Sequence, residues 1–177
     1  MANNQTKPSI GRAYGTCPYE GDIAYLGTTG AQAVQQCVAG EEIRQGNIIT
    51  LQDNGNGFST TSFKAMRASD IASTAGVVIG GGDGLDDKGF ALYEDGSIVS
   101  YVLLGSGAEV WLRVDAGQTF PNGVGYLNPV TDGKVKVAST LQDKTLKVSV
   151  VSQLVNGKRF NPDNNEVVSC KLVLVRL

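Results

Sequence analysis

Glu109-Val-Trp-Leu-Arg-Val-Asp115, Gly123-Val-Gly-Tyr-Leu-Asn-Pro129 and Thr131-Asp-Gly-Lys-Val-Lys-Val-Ala-Ser139 follow one another closely, and their reading decides the fold. In the first, Val110, Leu112 and Val114 share one parity, and Glu109, Trp111, Arg113 and Asp115 share the other. Successive strand side chains point to opposite faces, so this alternation predicts a half-buried β-strand. Lys134, Val135, Lys136 and Val137 alternate in the same way. Between the second and third segments lies Asn128-Pro-Val-Thr-Asp-Gly133, whose Asp-Gly pair suits a tight turn because Gly tolerates positive φ. The stretch from Gly107 to Ser139 reads as a strand, a loop and a hairpin, and nothing in it reads as a reaction centre.

Working outward, the same grammar continues. Asn47-Ile-Ile-Thr-Leu-Gln52 is β-branched and predicts a strand. Asp53-Asn-Gly-Asn-Gly57 signals a turn, with Phe58 to Arg67 returning as the partner strand and Phe63 and Met66 expected inward. Gly76-Val-Val-Ile79 predicts a short buried strand, and Phe90–Tyr93 and Ser97–Leu104 two more. Ser97–Leu104 is apolar on both parities, which predicts cover on both faces, as in a barrel or at an oligomer interface. Leu146, Val148 and Val150 share one strand face. Asn156 to Asn165 reads as a long polar loop, and Glu166 to Leu177 as a closing strand. Ala31–Ala39 fits a short helix by propensity or a strand by context, and Ser69–Ser73 a single helical turn. Strands at this spacing, separated by turn residues, predict an all-β fold: a small β-barrel or sandwich of short antiparallel strands over residues 41–177.

Residues 1–40 are expected to form an extended N-terminal arm. Met1 to Ser9 is polar, and Ile10 to Gly30 is poor in aliphatic residues but carries Tyr14, Tyr19 and Tyr25. Two readings stand: an arm laid across another surface with the tyrosines as anchors, or a loop packed on its own domain. Trp111 is a further partner-binding candidate. On the polar parity of its strand an exposed tryptophan suits an interface hot spot, and the other reading is a second buried face.

Composition narrows the chemistry. The chain has 177 residues, 41% hydrophobic and 18% charged, which predicts a folded domain. A net charge of −2 with no basic run argues against nucleic-acid binding. Without histidine the chain lacks the commonest general base and zinc ligand. Cys17, Cys37 and Cys170 form no CxxC pair; free buried thiols are expected, with a Cys17–Cys37 disulfide the alternative. The Gly-rich segment Gly80-Gly-Gly-Asp-Gly84 matches neither phosphate-loop pattern, and Asp83, Asp86 and Asp87 lack EF-hand spacing. No nucleophile motif is present, and Glu20, Asp22, Glu94, Asp95, Glu109 and Asp115 read as solvated carboxylates. No enzyme activity, cofactor or metal is expected. There is no apolar leader and no apolar run of about 18 residues, so synthesis in a cytoplasm and no membrane partner are expected.

Taken in order, Gly46-Asn-Ile-Ile-Thr-Leu51, Ala75-Gly-Val-Val-Ile-Gly80, Glu109 to Asp115, Gly123-Val-Gly-Tyr-Leu127 with Asp132-Gly-Lys-Val135, and the Glu166–Leu177 run resemble the small β-barrel capsid decoration (cement) proteins of tailed bacteriophages. The resemblance spans residues 41–177. It departs in the first 40 residues, in the acidic loop at 80–89 and around 156–165. It implies a structural virion protein, assembled in the host cytoplasm, that binds the outer capsid surface and bridges neighbouring major capsid protein subunits. A homotrimer over three-fold positions is implied, since a trimer engages several subunits at once. Residues 1–30 would add contact area across a neighbour. The alternative is another virion β-module, a head fibre or tail component with a host-surface or carbohydrate-binding role, which an aromatic content of 7% does not encourage.

Overall fold

A computed structural model describes residues 17–25, 33–53, 55, 63–67, 74–80, 92–120, 123–130, 133–140, 146–161, 164 and 166–177. Its elements are β-strands throughout, as the alternation predicts. Tyr14, the helical turn expected at 69–73 and nearly all of the Gly-rich loop lie outside the described residues.

The first half of the chain closes a barrel. Strands β2 (Val34–Ala39), β5 (Phe63–Arg67), β4 (Ile48–Asp53), β6 (Thr74–Val78) and β8 (Ile98–Leu103) form a ring in that order. The β2–β5 pairing is parallel and the other pairings are antiparallel. Five strands leave little interior, so the inward residues include small ones: Cys37, Ala39 and Ala65 pack with Ile49, Val78, Val99 and Tyr101. The ring is tight enough that a Cβ on Gly76 would lie 2.0 Å from the Val102 carbonyl oxygen. A two-stranded pair, β3 (Ile43–Arg44) with β7 (Leu92–Tyr93), adds Ile43 and Tyr93 to this core. The Tyr93 hydroxyl donates to the Ile79 carbonyl at 2.9 Å, so its polar end is satisfied where it is buried.

The second half curls similarly. Strands β9 (Glu109–Arg113), β14 (Glu166–Arg176), β12 (Leu146–Val150), β10 (Gly123–Pro129) and β11 (Val135–Ala138) pair antiparallel in that order. The two ends of the run then meet: Val114 bridges Val135, and the Asp115 N–H donates to the Val135 carbonyl at 2.8 Å. Val110, Leu112, Leu127, Leu146, Val148, Val173 and Val175 fill this second barrel. The same core continues to Ile48, Val77 and Val102 of the first barrel, so one apolar mass joins the two. This explains the doubly apolar β8: Val99 and Tyr101 face into the first barrel, and Val102 faces the shared core. The β10–β11 hairpin turns on Gly133 at φ 77, and a Cβ there would lie 2.9 Å from Asn47 Nδ2 of the first barrel.

Three expectations are corrected. The segment from Asn156, read as loop, belongs as far as Asn161 to strand β13 (Val155–Asn161), which pairs with the first half of β14. Gly157, within that segment, is there for close approach: a Cβ would meet Leu172 Cδ1 at 2.2 Å and the Pro18 carbonyl at 2.8 Å. Phe63 is 48% exposed, and the buried position of β5 is Ala65, because the ring interior has no room for a phenyl group there. The polar parity of β9 is covered too: Glu109 and Arg113 are buried.

The cover comes from the first forty residues. β1 (Ile23–Tyr25) pairs with β9, and β2 belongs to the first barrel. The described residues before position 40 are therefore built into the two barrels, because their main-chain groups supply edges that β9, β13 and β8 need. Residues 1–16 lie outside the described set.

Candidate interaction face

Residues 18–25 cross the second barrel as a strap. Its first part runs beside β13: the Glu20 N–H donates to the Lys158 carbonyl (2.9 Å), and the Lys158 N–H to the Pro18 carbonyl (3.0 Å). Its second part runs beside β9: the Gly21 N–H donates to the Trp111 carbonyl (2.8 Å), and the Trp111 N–H to the Asp22 carbonyl (3.0 Å). Since β9 and β13 both flank β14, the strap closes a circuit of hydrogen-bonded segments around a small polar interior. Asp22 fixes the bend, accepting the Tyr19 N–H on Oδ2 at 3.0 Å.

Inside that circuit Glu20 and Arg113 form an ion pair, Arg113 Nε to Glu20 Oε1 at 3.0 Å, with Glu20 6% and Arg113 5% exposed. Gln45, in the turn that leads into β4 of the first barrel, donates Nε2–H to the Glu20 carbonyl at 3.0 Å, tying the strap to both barrels. Cys170 lies near this pair. Burial pushes its thiol up to about 12, and the negative charge of Glu20 adds to the rise. No disulfide joins the three cysteines; Cys17 is exposed, and Cys37 is buried in the first barrel core. Glu109 pairs with Arg176, which donates Nε–H at 3.2 Å. These carboxylates read as solvated in the sequence, yet each is bound in a cross-strand link that holds the second barrel together.

Along the outside of the second barrel one cross-strand row is complete. Tyr25 lies opposite Glu109, Glu109 opposite Arg176, Arg176 opposite Ser149, and Ser149 opposite Val124. Four strand spacings make the row about 19 Å long. Tyr25 at 49% exposure and Val124 at 57% present apolar surface at its two ends, with the half-exposed Arg176 side chain between them. Val151 is also exposed. Trp111 is half-buried on the same side of β9, opposite Leu174, beneath the strap.

The four candidate residues are thus distributed unevenly. Tyr25 and Trp111 share the outer side of the second barrel. Tyr19 is half-buried where the strap bridges Lys158, and Tyr14 lies outside the described residues. Val124 and Arg176 complete the row and were missed, because their strands alternate and only the register across five strands brings them into line. No known protein family, no curated protein and no solved structure matches the chain.

Proposed function

We propose that this chain is a structural virion protein that binds the outer surface of a phage capsid and bridges neighbouring major capsid protein subunits, with no chemistry of its own. The observation that supports the reading is the Tyr25–Val124 row. It is an aromatic and an aliphatic anchor on a barrel wall, around an arginine, the mixture that suits a hot-spot contact. The barrels supply stiffness, since closed sheets leave few strand edges to deform. Several copies on one capsid multiply a modest contact through multivalency, as a trimer would. Residues 1–16, polar and carrying Tyr14, supply a further contact to a neighbouring subunit.

The test is co-sedimentation with capsids that lack the protein. Wild-type protein pellets with them, Tyr25→Ala and Val124→Asp each weaken the binding about tenfold or more, and deletion of residues 1–16 lowers occupancy. Unchanged occupancy in all three variants would sink the proposal.

A further inference from the structure

We propose that the outer wall of β10, β11 and β12 seats an acidic protein segment, whose carboxylates meet Lys136 and Lys147 on either side of Tyr126. Strand parity builds this wall. On β10 Val124, Tyr126 and Asn128 point outward, while Gly125, Leu127 and Pro129 are buried. On β12 the exposed Lys147 and the half-buried Ser149 point outward between Leu146, Val148 and Val150. On β11 Lys136 is exposed between Val135 and Val137, both of which turn to the core. Register then groups these residues. Lys147 lies opposite Tyr126. Lys136 lies opposite Asn128, one diagonal step from Tyr126 on its other side. Opposite Cβ atoms stand about 5 Å apart and diagonal neighbours about 7–8 Å. Two ammonium groups therefore flank one half-buried phenol, close enough for a single extended segment to meet both.

Charge says what covers the wall. Lys136 and Lys147 are the charged residues of these three strands, and both are cations. Among the described residues no carboxylate pairs with either. The adjoining Tyr25–Val124 row adds Arg176, whose side chain is 52% exposed, while that of its partner Glu109 is 10% exposed. The chain as a whole carries a net charge of −2, so its acids lie elsewhere. Glu42, Asp53, Glu94 and Asp95 are exposed in the first half of the chain, and Glu166 at the far end of β14. Cations set around an aromatic and an exposed valine match a partner that offers carboxylates beside apolar groups. A nucleic acid would need a longer basic stripe, and no apolar anchor beside it. The inference rests on the capsid reading for the partner's identity, while the acidic chemistry is read from the wall itself.

The test joins capsid co-sedimentation of the full chain with amide-shift mapping against a short oligoglutamate peptide. Wild-type protein pellets with capsids, and raising salt from about 0.05 M to about 0.5 M weakens the binding as the Debye length shrinks. Lys136→Glu with Lys147→Glu weakens it about tenfold or more, while Lys136→Arg with Lys147→Arg retains it. The peptide shifts the amides of Val124, Tyr126 and Lys147 in the wild type and not in the doubly reversed chain. Both lysines are exposed, so the reversals leave the cores intact, and the arginine variant checks that charge is what matters. Capsid binding indifferent to the double reversal and to salt overturns the inference and leaves the capsid reading standing. A chain that takes the peptide on this wall but ignores capsids upholds the acidic partner and sinks the capsid reading alone. Silence toward both sinks both. A single-stranded DNA oligomer that shifts these amides when the peptide does not also overturns the inference, because the occupant is then a nucleic acid.

Discussion

Glu20 and Arg113 are 93 positions apart in sequence and 3.0 Å apart in the fold. Neither residue type nor local pattern announces that pairing; Glu20 reads as a turn carboxylate and Arg113 as the polar side of a strand. Taking two charges out of water costs several kcal/mol each, and only their attraction and further hydrogen bonds offset it. Arg113→Ala leaves the Glu20 carboxylate buried without its cation and is expected to destabilise the protein by about 3–5 kcal/mol in urea denaturation. Replacing both, Glu20→Leu with Arg113→Met, should recover most of that loss, because an apolar pair of similar volume needs no compensation. If the double variant were as unstable as the single one, the ion pair would not be what holds the strap.

Among the elements, legibility follows how local the cause is. The alternation in β9, β11 and β12 and the double apolar parity of β8 are properties of the residues themselves, and each is a strand as read. β13 was illegible because its polar residues sit in a ribbon whose faces are partly open, and because Gly157 serves packing against Leu172, not a turn. The closed ring of β2, β4, β5, β6 and β8 also has a pH signature. Burial pushes the Cys37 thiol from its ordinary 9.0 up to about 11, and burial, with Cys37 nearby, pushes the Tyr101 hydroxyl from 10.0 up to about 12. An unfolded chain releases these protons at the lower values while the folded chain keeps them. The folded form therefore binds more protons over that window, and stability falls as pH rises. The melting temperature should drop steadily between pH 9 and pH 11, and Cys37→Ala should flatten part of the drop. A melting temperature indifferent to pH across that window would show that the thiol and phenol are hydrated in the folded state.

At the scale of the whole molecule, the strap adds a hydrogen-bonded tie to the apolar core that joins the two barrels. It hydrogen-bonds β9 and β13 of the second barrel and takes a hydrogen bond from Gln45, in the turn that leads into β4 of the first. Its role was not visible in the chain order, where residues 17–25 read as arm and the barrel began at residue 41. Removal of residues 1–25 should strip β1 from β9 and uncover Arg113, lowering the transition while the shared core keeps it single. Calorimetry of the truncated chain beside the full one reads this outcome. The same layout sets an order of events on the ribosome. The strands of the first barrel are complete once Leu103 has emerged, so that ring can close early in synthesis. Residues 18–25 come out before any of it, yet their partners β9, β13 and β14 are not all available until Arg176 has been made. The earliest of these segments to leave the exit tunnel is thus the last to settle, and Glu20 keeps its water shell until then.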